Sequence, residues 1–437
     1  MPYENERAGL AAIRAIAEKG VVDEFRQELQ DRHTGQPLPI PPFQPCPAGT
    51  SRTHILAIDG SDVYQPIPGA LPSTEAGLVS LGMVVMDLKK LKTLQRLPES
   101  GAVNPRLLRE TERGQSLGMM LPGMNAGKKD GTDPKTWFRQ IFNRELEKAN
   151  VGGETFAETL HHLLGPNHKV DHCPNPDCSK ENLSLPRPGQ VDYCPTCGVE
   201  VLPTDGLRIH EQFRENESPT ECHSRVRDTL EILALVNSLR YLVKSELGRV
   251  AIGNTAFVMD GQLAAFGTIA VLARAIRKEL QDIQSVLNEK HPGALLLVMS
   301  GVKSGPFVNH AEELDRAPAP GQNIPRERLW LPDNDYIRAN IVARHSDSPK
   351  PWGELTHYGR PIVMKTKNGQ RLVLNIAQPE AEPPLTNALA PLALADAVNT
   401  AGPLGVGTDQ FLALRRAHNR AAIPLRAGTD LIKSLAP

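Results

Sequence analysis

The apolar and polar positions of the chain follow two rhythms. Residues 54–58, His-Ile-Leu-Ala-Ile, form a short, nearly continuous apolar run that reads as a buried strand, ending on Asp59 with Gly60 and Ser61 placed to turn the chain away. The same device recurs at residues 255–259, Thr-Ala-Phe-Val-Met, which end on Asp260 and Gly261. A third run at 294–299 leads into Ser300-Gly301-Val302-Lys303, and residues 78–88 read as a further strand of the first sheet, with 62–66 as a turn or loop between. Helical spacing marks 7–29 (Leu10, Ile13, Ile16, Val21, Phe25), interrupted near Gly20. It also marks 224–247, read as one long helix with Val226, Leu230, Leu233, Val236, Leu239 and Val243 on one side and Arg227, Glu231, Ser238 and Ser245 on another. A helix over 269–287 carries Arg274, Arg277 and Lys278, and 89–165 reads as helical and charged, broken at 123–129 and 131–134. Asn368-Gly369 between two β-favouring runs predicts a hairpin. Proline-rich linkers are expected at 37–47 and 379–384, the second before two C-terminal helices.

Two of these runs carry candidate chemistry at their ends. A carboxylate at the end of a buried strand is costly to desolvate unless it is hydrogen-bonded, paired or bound to a cation. An isolated Asp-Gly is an ordinary surface turn; two of them, each behind an apolar strand, point to one shared metal site built on Asp59 and Asp260. A third carboxylate from the helix upstream of Asp260 would complete it, with Glu231 chosen and Asp228 and Glu246 competing. Lys303 suits either of two roles, neutralising phosphate charge near such a site or closing a surface turn.

Cys173 and Cys178 are followed by fifteen residues and then by Cys194 and Cys197. Two close pairs of thiolates, set among Pro174, Pro176, Pro195 and Gly198, suit the turns that wrap a tetrahedral zinc. Four such ligands leave no open position, so the expectation is a structural Zn²⁺ in a ribbon that would be unfolded without it. His168 and His172 lie close enough in sequence to replace a thiolate, though as solvent-facing histidines they need no such role; Cys46 and Cys222 stand alone. Gly123-Met124-Asn125-Ala126-Gly127-Lys128-Lys129 resembles a phosphate loop but is one residue short, with Lys129 where a hydroxyl should hold magnesium, so it reads as a basic loop.

Composition narrows the class. The 437 residues are 40% hydrophobic and 23% charged, as in a globular protein of two or three domains. The 49 basic against 50 acidic residues leave a net charge of −1, so any nucleic-acid contact must come from a local patch. No apolar run approaches the roughly 20 residues of a membrane span, the N-terminus does not read as a signal peptide, and the cysteine usage points to the cytoplasm.

The order of Ala57-Ile58-Asp59-Gly60-Ser61, a glutamate-bearing helix, Val258-Met259-Asp260-Gly261-Gln262-Leu263, a strand ending Ser300-Gly301-Val302-Lys303, and a late Arg416-Ala417-His418 resembles the NurA family of DNA-end nucleases, over roughly residues 53–423. The resemblance implies an α/β fold with an RNase H-like mixed-sheet core and flanking helices, here carrying an inserted zinc ribbon. It also implies a Mn²⁺- or Mg²⁺-dependent deoxyribonuclease, a homodimer, and a hexameric HerA-type ATPase as partner. Asp59 and Asp260 match the family's metal-binding aspartates, Glu231 its glutamate, Lys303 its lysine and His418 its terminal histidine. Two departures stand out: Gln410 occupies the place of a family tyrosine, and Asp260 follows Glu231 by 29 positions, where Glu246 would fit a shorter gap. The expected organisation is an N-terminal helical segment and linker (1–50), the first part of the core (51–165), the ribbon (166–205) and the second part of the core with C-terminal helices (206–437). The expected function is resection of DNA ends in break repair or anti-phage defence. A non-catalytic adaptor on the same fold, or a hydrolase acting on RNA, are the alternatives.

Overall fold

The computed structural model describes residues 17, 21–28, 38–40, 42–45, 52–71, 73–93, 110–316, 323–342, 352–365, 369–377, 412–422 and 432. The chain divides into two compact units, Met1–Pro39 with Asp333–Pro349, and Ile40–Pro332 with Lys350–Pro437. In the first, α1 (Val21–Glu28) is the described part of the N-terminal helix, and Leu38 exchanges two hydrogen bonds with Asn340, 2.9 and 2.8 Å. The remainder of that helix, Asn368 in the predicted hairpin turn, residues 379–384 and Gln410 lie outside the described residues.

The second unit is built on β1 (Gln44–Pro45), β2 (His54–Pro66), β3 (Glu75–Asp87), α2 (Leu88–Thr93), β4 (Glu112–Pro122), α3 (Pro134–Lys148) and α4 (Phe156–Leu164). Two small hairpins follow, β5 (Lys169–His172) with β6 (Glu181–Ser184) and β7 (Asp192–Tyr193) with β8 (Glu200–Val201). Then come α5 (Thr220–Val243), α6 (Glu246–Asn254), β9 (Thr255–Asp260), α7 (Val271–Lys290), β10 (Leu297–Val302), α8 (Pro306–Arg316), β11 (Arg328–Trp330), β12 (Gly359–Lys365), β13 (Arg371–Ala377) and α9 (Leu412–Ala421). Local signals fix several of these. Asp133 caps α3 through Thr136 N at 2.7 Å ahead of Pro134, and Thr155 and Glu158 form a reciprocal capping box on α4.

Nine strands form one mixed sheet in the order β1-β11-β12-β13-β10-β9-β2-β3-β4. At its centre β2, β9 and β10 run parallel, and the flanking pairs are antiparallel. Alternation divides each central strand between two cores. Leu56, Ile58, Phe257 and Met259 pack with Leu230 and Leu233 of α5 and Leu280 of α7; Ile55, Ala57, Ala256 and Val258 pack with Leu414 and Ala417 of α9. Burial on both sides explains why these strands read as continuous apolar runs. No helix among the described residues is long and apolar enough to cross a membrane.

Three expectations are corrected. Residues 62–66 are strand: β2 runs through Gly60 and Ser61 to Pro66 because every residue pairs with β3, from His54↔Asp87 to Pro66↔Glu75. Cross-strand pairing outweighs the local Gly-Ser turn preference. Within the segment read as helical, 112–122 is an edge strand whose first half is exposed, so it shows no apolar alternation until β3 recruits it. The single helix over 224–247 is two, because Ser245 leaves the helical conformation and its side chain accepts from Gly248 N at 3.0 Å to start α6.

Candidate active site

Asp59 and Asp260 lie side by side. Ile58 and Met259 are the last paired residues of the parallel ladder between β2 and β9, and the two aspartates follow them on strands about 4.8 Å apart. Their parity puts both on the face covered by α9, in line with Ala57 and Val258. Asp59 is therefore not at a strand end. It is held mid-strand, level with Asp260 where its neighbour β9 stops, and the gap left by that stop opens the cleft. Gly261, with φ 76°, turns the chain there as the sequence predicts.

Gly60 has a different task from the turn expected of it. A Cβ at residue 60 would lie 2.5 Å from Arg227 Cγ and 2.6 Å from Glu231 Oε1, so the missing side chain lets α5 lay both against the strand. Glu231 thus reaches the cleft over Gly60, from the opposite face to Asp59. A cleft of about 390 Å³ is lined by Asp59, Glu231, Asp260 and His418, together with Arg227 and Tyr358. Asp228 also lines it but is bound to Arg225 and Arg227 at 3.1 and 2.8 Å, whereas Glu246 is exposed at the start of α6 and does not line it.

The carboxylates are crowded and dry. Burial, and then the charge of Asp260, push the Asp59 carboxyl up to about 6 against the pull of His418 and Lys303. Burial, followed by the charges of Asp59 and Asp228, pushes Glu231 well above the usual carboxylate range, against Arg227. His418 Nδ1 lies 2.9 Å from Asp59 Oδ2, and Lys303 Nζ donates to Asp260 Oδ2 at 2.8 Å. The other oxygen of Asp260 is buried with no hydrogen-bond partner. An orphaned carboxylate oxygen beside two carboxyls held back from ionising is the donor set that a hard divalent cation relieves. The carboxylate oxygens are not drawn together as tightly as the thiols: among the described residues, the four cysteines are the only group of three or more such side chains with ligand atoms all within 4.8 Å of one another.

Cys173 Sγ and Cys197 Sγ are 3.6 Å apart and Cys178 Sγ and Cys194 Sγ 3.8 Å. A tetrahedral zinc with its usual thiolate bonds has edges of about 3.8 Å, so the four sulfurs fit that ion. Tight turns hold them, with Cys178 N donating to Asn175 O at 3.1 Å and Gly198 N to Cys194 O at 2.9 Å. His172 instead faces Glu181 at 3.7 Å, and neither it nor His168 joins the cluster. The hairpins are tied to the core by Arg139 of α3, which donates to Asp205 at 2.8 and 2.6 Å and to Glu200 O at 2.6 Å, all but inaccessible to solvent. In the basic loop at 123–129, Lys128 pairs with Asp130 at 2.6 Å.

Sequence reasoning missed Arg227 and Tyr358 as parts of the site. Arg227 sits four residues before Glu231 on the same polar stripe and bridges to Asp62 at 2.7 Å, a spacing that could have flagged it. Tyr358 donates to Met259 Sδ at 3.6 Å from the start of β12 and left no local signal.

No protein-family model matches the sequence, and no curated protein matches it. Among solved structures, the NurA nuclease from Sulfolobus solfataricus aligns over 98% of this chain and 93% of its own, at 12% identity and a TM-score of 0.32. A NurA structure with manganese aligns over 98% of this chain and 97% of its own, at 12% identity and a TM-score of 0.25.

Proposed function

We propose that the chain is a metal-dependent nuclease that hydrolyses DNA phosphodiesters in the cleft between β2, β9 and α5. The observation that carries this reading is the meeting of Asp59 and Asp260 on adjacent parallel strands with Glu231 in one cleft, where one oxygen of Asp260 is buried without a partner. Asp59, Glu231 and Asp260 would hold Mn²⁺ or Mg²⁺, which supplies Lewis-acid activation of water and neutralises charge on the scissile phosphate. The remaining chemistry belongs to the side chains. Lys303, fixed by Asp260, offers its ammonium to the phosphate oxygens. His418 is oriented through Nδ1 by Asp59 and half-exposed, which leaves its other nitrogen to move a proton at the attacking or leaving oxygen. Tyr358 and the apolar strand ends keep the inner wall dry.

The β4-β3-β2-β9-β10 run, a meander followed by two strands parallel to its first, supports an RNase H-like core. The four thiols would hold a structural Zn²⁺, so thiolates and carboxylates would take different metals at separate places. The phosphate-loop-like segment departs from the nucleotide-binding pattern and its Lys128 is paired with Asp130, so we assign the motor of processive resection to a HerA-type ATPase ring acting with a homodimer of this chain.

The test is purified protein with linear DNA, plasmid and RNA in Mn²⁺, beside Asp59→Ala and Asp260→Ala. Loss of DNA that needs the ion and vanishes in both variants supports the nuclease. Inactivity even with the ATPase present assigns the adaptor role, and cleavage of RNA alone the RNA hydrolase.

A further inference from the structure

Phe266 shares the cleft with the carboxylates but belongs to none of the chemistry above. It ends the segment that leaves β9, and it is 39% exposed while lining the same cleft as Asp59 and Asp260. A single exposed apolar side chain is ordinary; what sets Phe266 apart is its place in the lining of the carboxylate cleft. Its backbone is held in place: Ala265 N donates to Thr356 O at 2.8 Å, and Tyr358 N to Leu263 O at 2.9 Å.

The ring is braced from behind. His357 meets it edge-on, with centroids 5.3 Å apart and planes at 85°. His357 is fixed through both nitrogens, by Thr356 Oγ1 at 2.8 Å and Gln262 Oε1 at 3.0 Å, and burial, with help from Arg277, pulls its pKa down to about 4, so it is neutral. Trp352 packs against His357 at 4.2 Å and reaches Phe307 at 5.1 Å. A chain of four rings therefore runs from the buried Phe307 out to Phe266.

We infer that Phe266 is a base-stacking residue that positions an unpaired nucleotide so that its neighbouring phosphodiester lies at Asp59, Glu231 and Asp260. A preorganised aromatic face loses little entropy on binding and accepts any nucleobase, because every base has a π-face. Inside a duplex both faces of a base are covered by its neighbours, so the same platform selects against paired strand. This rests on the nuclease reading for the location of the phosphodiester, while stacking itself is measured independently.

The experiment compares wild type, Phe266→Ala and Phe266→Trp in binding single-stranded oligodeoxynucleotides that carry either 2-aminopurine or an abasic residue at the end, by anisotropy and 2-aminopurine fluorescence with Ca²⁺ as the divalent ion. Wild type is expected to quench 2-aminopurine and to prefer the base-bearing strand. Phe266→Ala is expected to bind the base-bearing strand about tenfold more weakly, to lose the quenching and to erase the difference from the abasic strand, and Phe266→Trp to restore all three. Equal binding by wild type and Phe266→Ala, or a loss shared by base-bearing and abasic strands, overturns the inference, as does the absence of quenching by wild type. Cleavage that depends on Asp59 but not on Phe266 would leave the nuclease standing and remove the stacking residue. Quenching that depends on Phe266 without any cleavage would keep the stacking and remove the nuclease.

Discussion

A side chain at residue 60 has nowhere to go: its first carbon would press on Arg227 and Glu231 at 2.5 and 2.6 Å. Gly60→Ala is therefore expected to cost about 1–3 kcal/mol in urea unfolding and to weaken divalent-ion binding, because Glu231 must move. The neighbouring Asp59 is a strained ionisation. Its folded pKa of about 6 lies above the roughly 4 of an unfolded aspartate, so its contribution to stability is fully present below about pH 4 and is lost as pH rises through about 6. Asp59→Asn removes that loss, and at neutral pH without divalent ions it should unfold at higher denaturant than wild type, by up to about 3 kcal/mol, while forfeiting any stabilisation by Mn²⁺. Both aspartates were legible because an acid that closes an apolar run is conspicuous. The partners of Asp59 were not, since His418 comes from a residue 359 positions away.

At the scale of elements, the thiol cluster was the most legible feature, because ligands so close in sequence announce their own geometry. Chelation of the proposed Zn²⁺, or Cys194→Ala, is expected to abolish hydrogen-exchange protection across residues 169–201 while β2, β3 and β9 stay protected, read by exchange mass spectrometry. The anchor behaves differently. Arg139→Ala would leave Asp205 buried without its guanidinium partner, at a cost of about 3–5 kcal/mol to the whole unit in chemical unfolding. The elements that misled were those whose boundaries depend on neighbours: β4 has an exposed polar half, and the length of β2 is set by β3.

For the whole molecule, the separation of the two candidate metal centres gives a pH test. A cation in the carboxylate cleft must displace the proton that Asp59 holds below about pH 6, and the raised Glu231 acts in the same sense. The gain in melting temperature from Mn²⁺ should thus be small at about pH 5 and grow toward about pH 8, vanishing in Asp59→Asn. A gain that is flat across this range would place the ion elsewhere. The net charge of −1 gives no global attraction to DNA, so under the proposed function substrate would be caught locally, at the cleft and the ring of Phe266.

The buried central strands, the two aspartates that follow them, the helix bearing Glu231 and the four-thiol cluster were legible from the order of residues, because each is written in residues close enough to interact within one element or one loop. Tertiary structure alone decided that β2 passes through its glycine instead of turning, that Glu231 and not Glu246 enters the cleft, and that α9 lays His418 on Asp59 while Phe266 faces the same space. Those outcomes depend on strand pairing and on the close approach of segments far apart in the chain, and such contacts leave no periodicity for a single sequence to display.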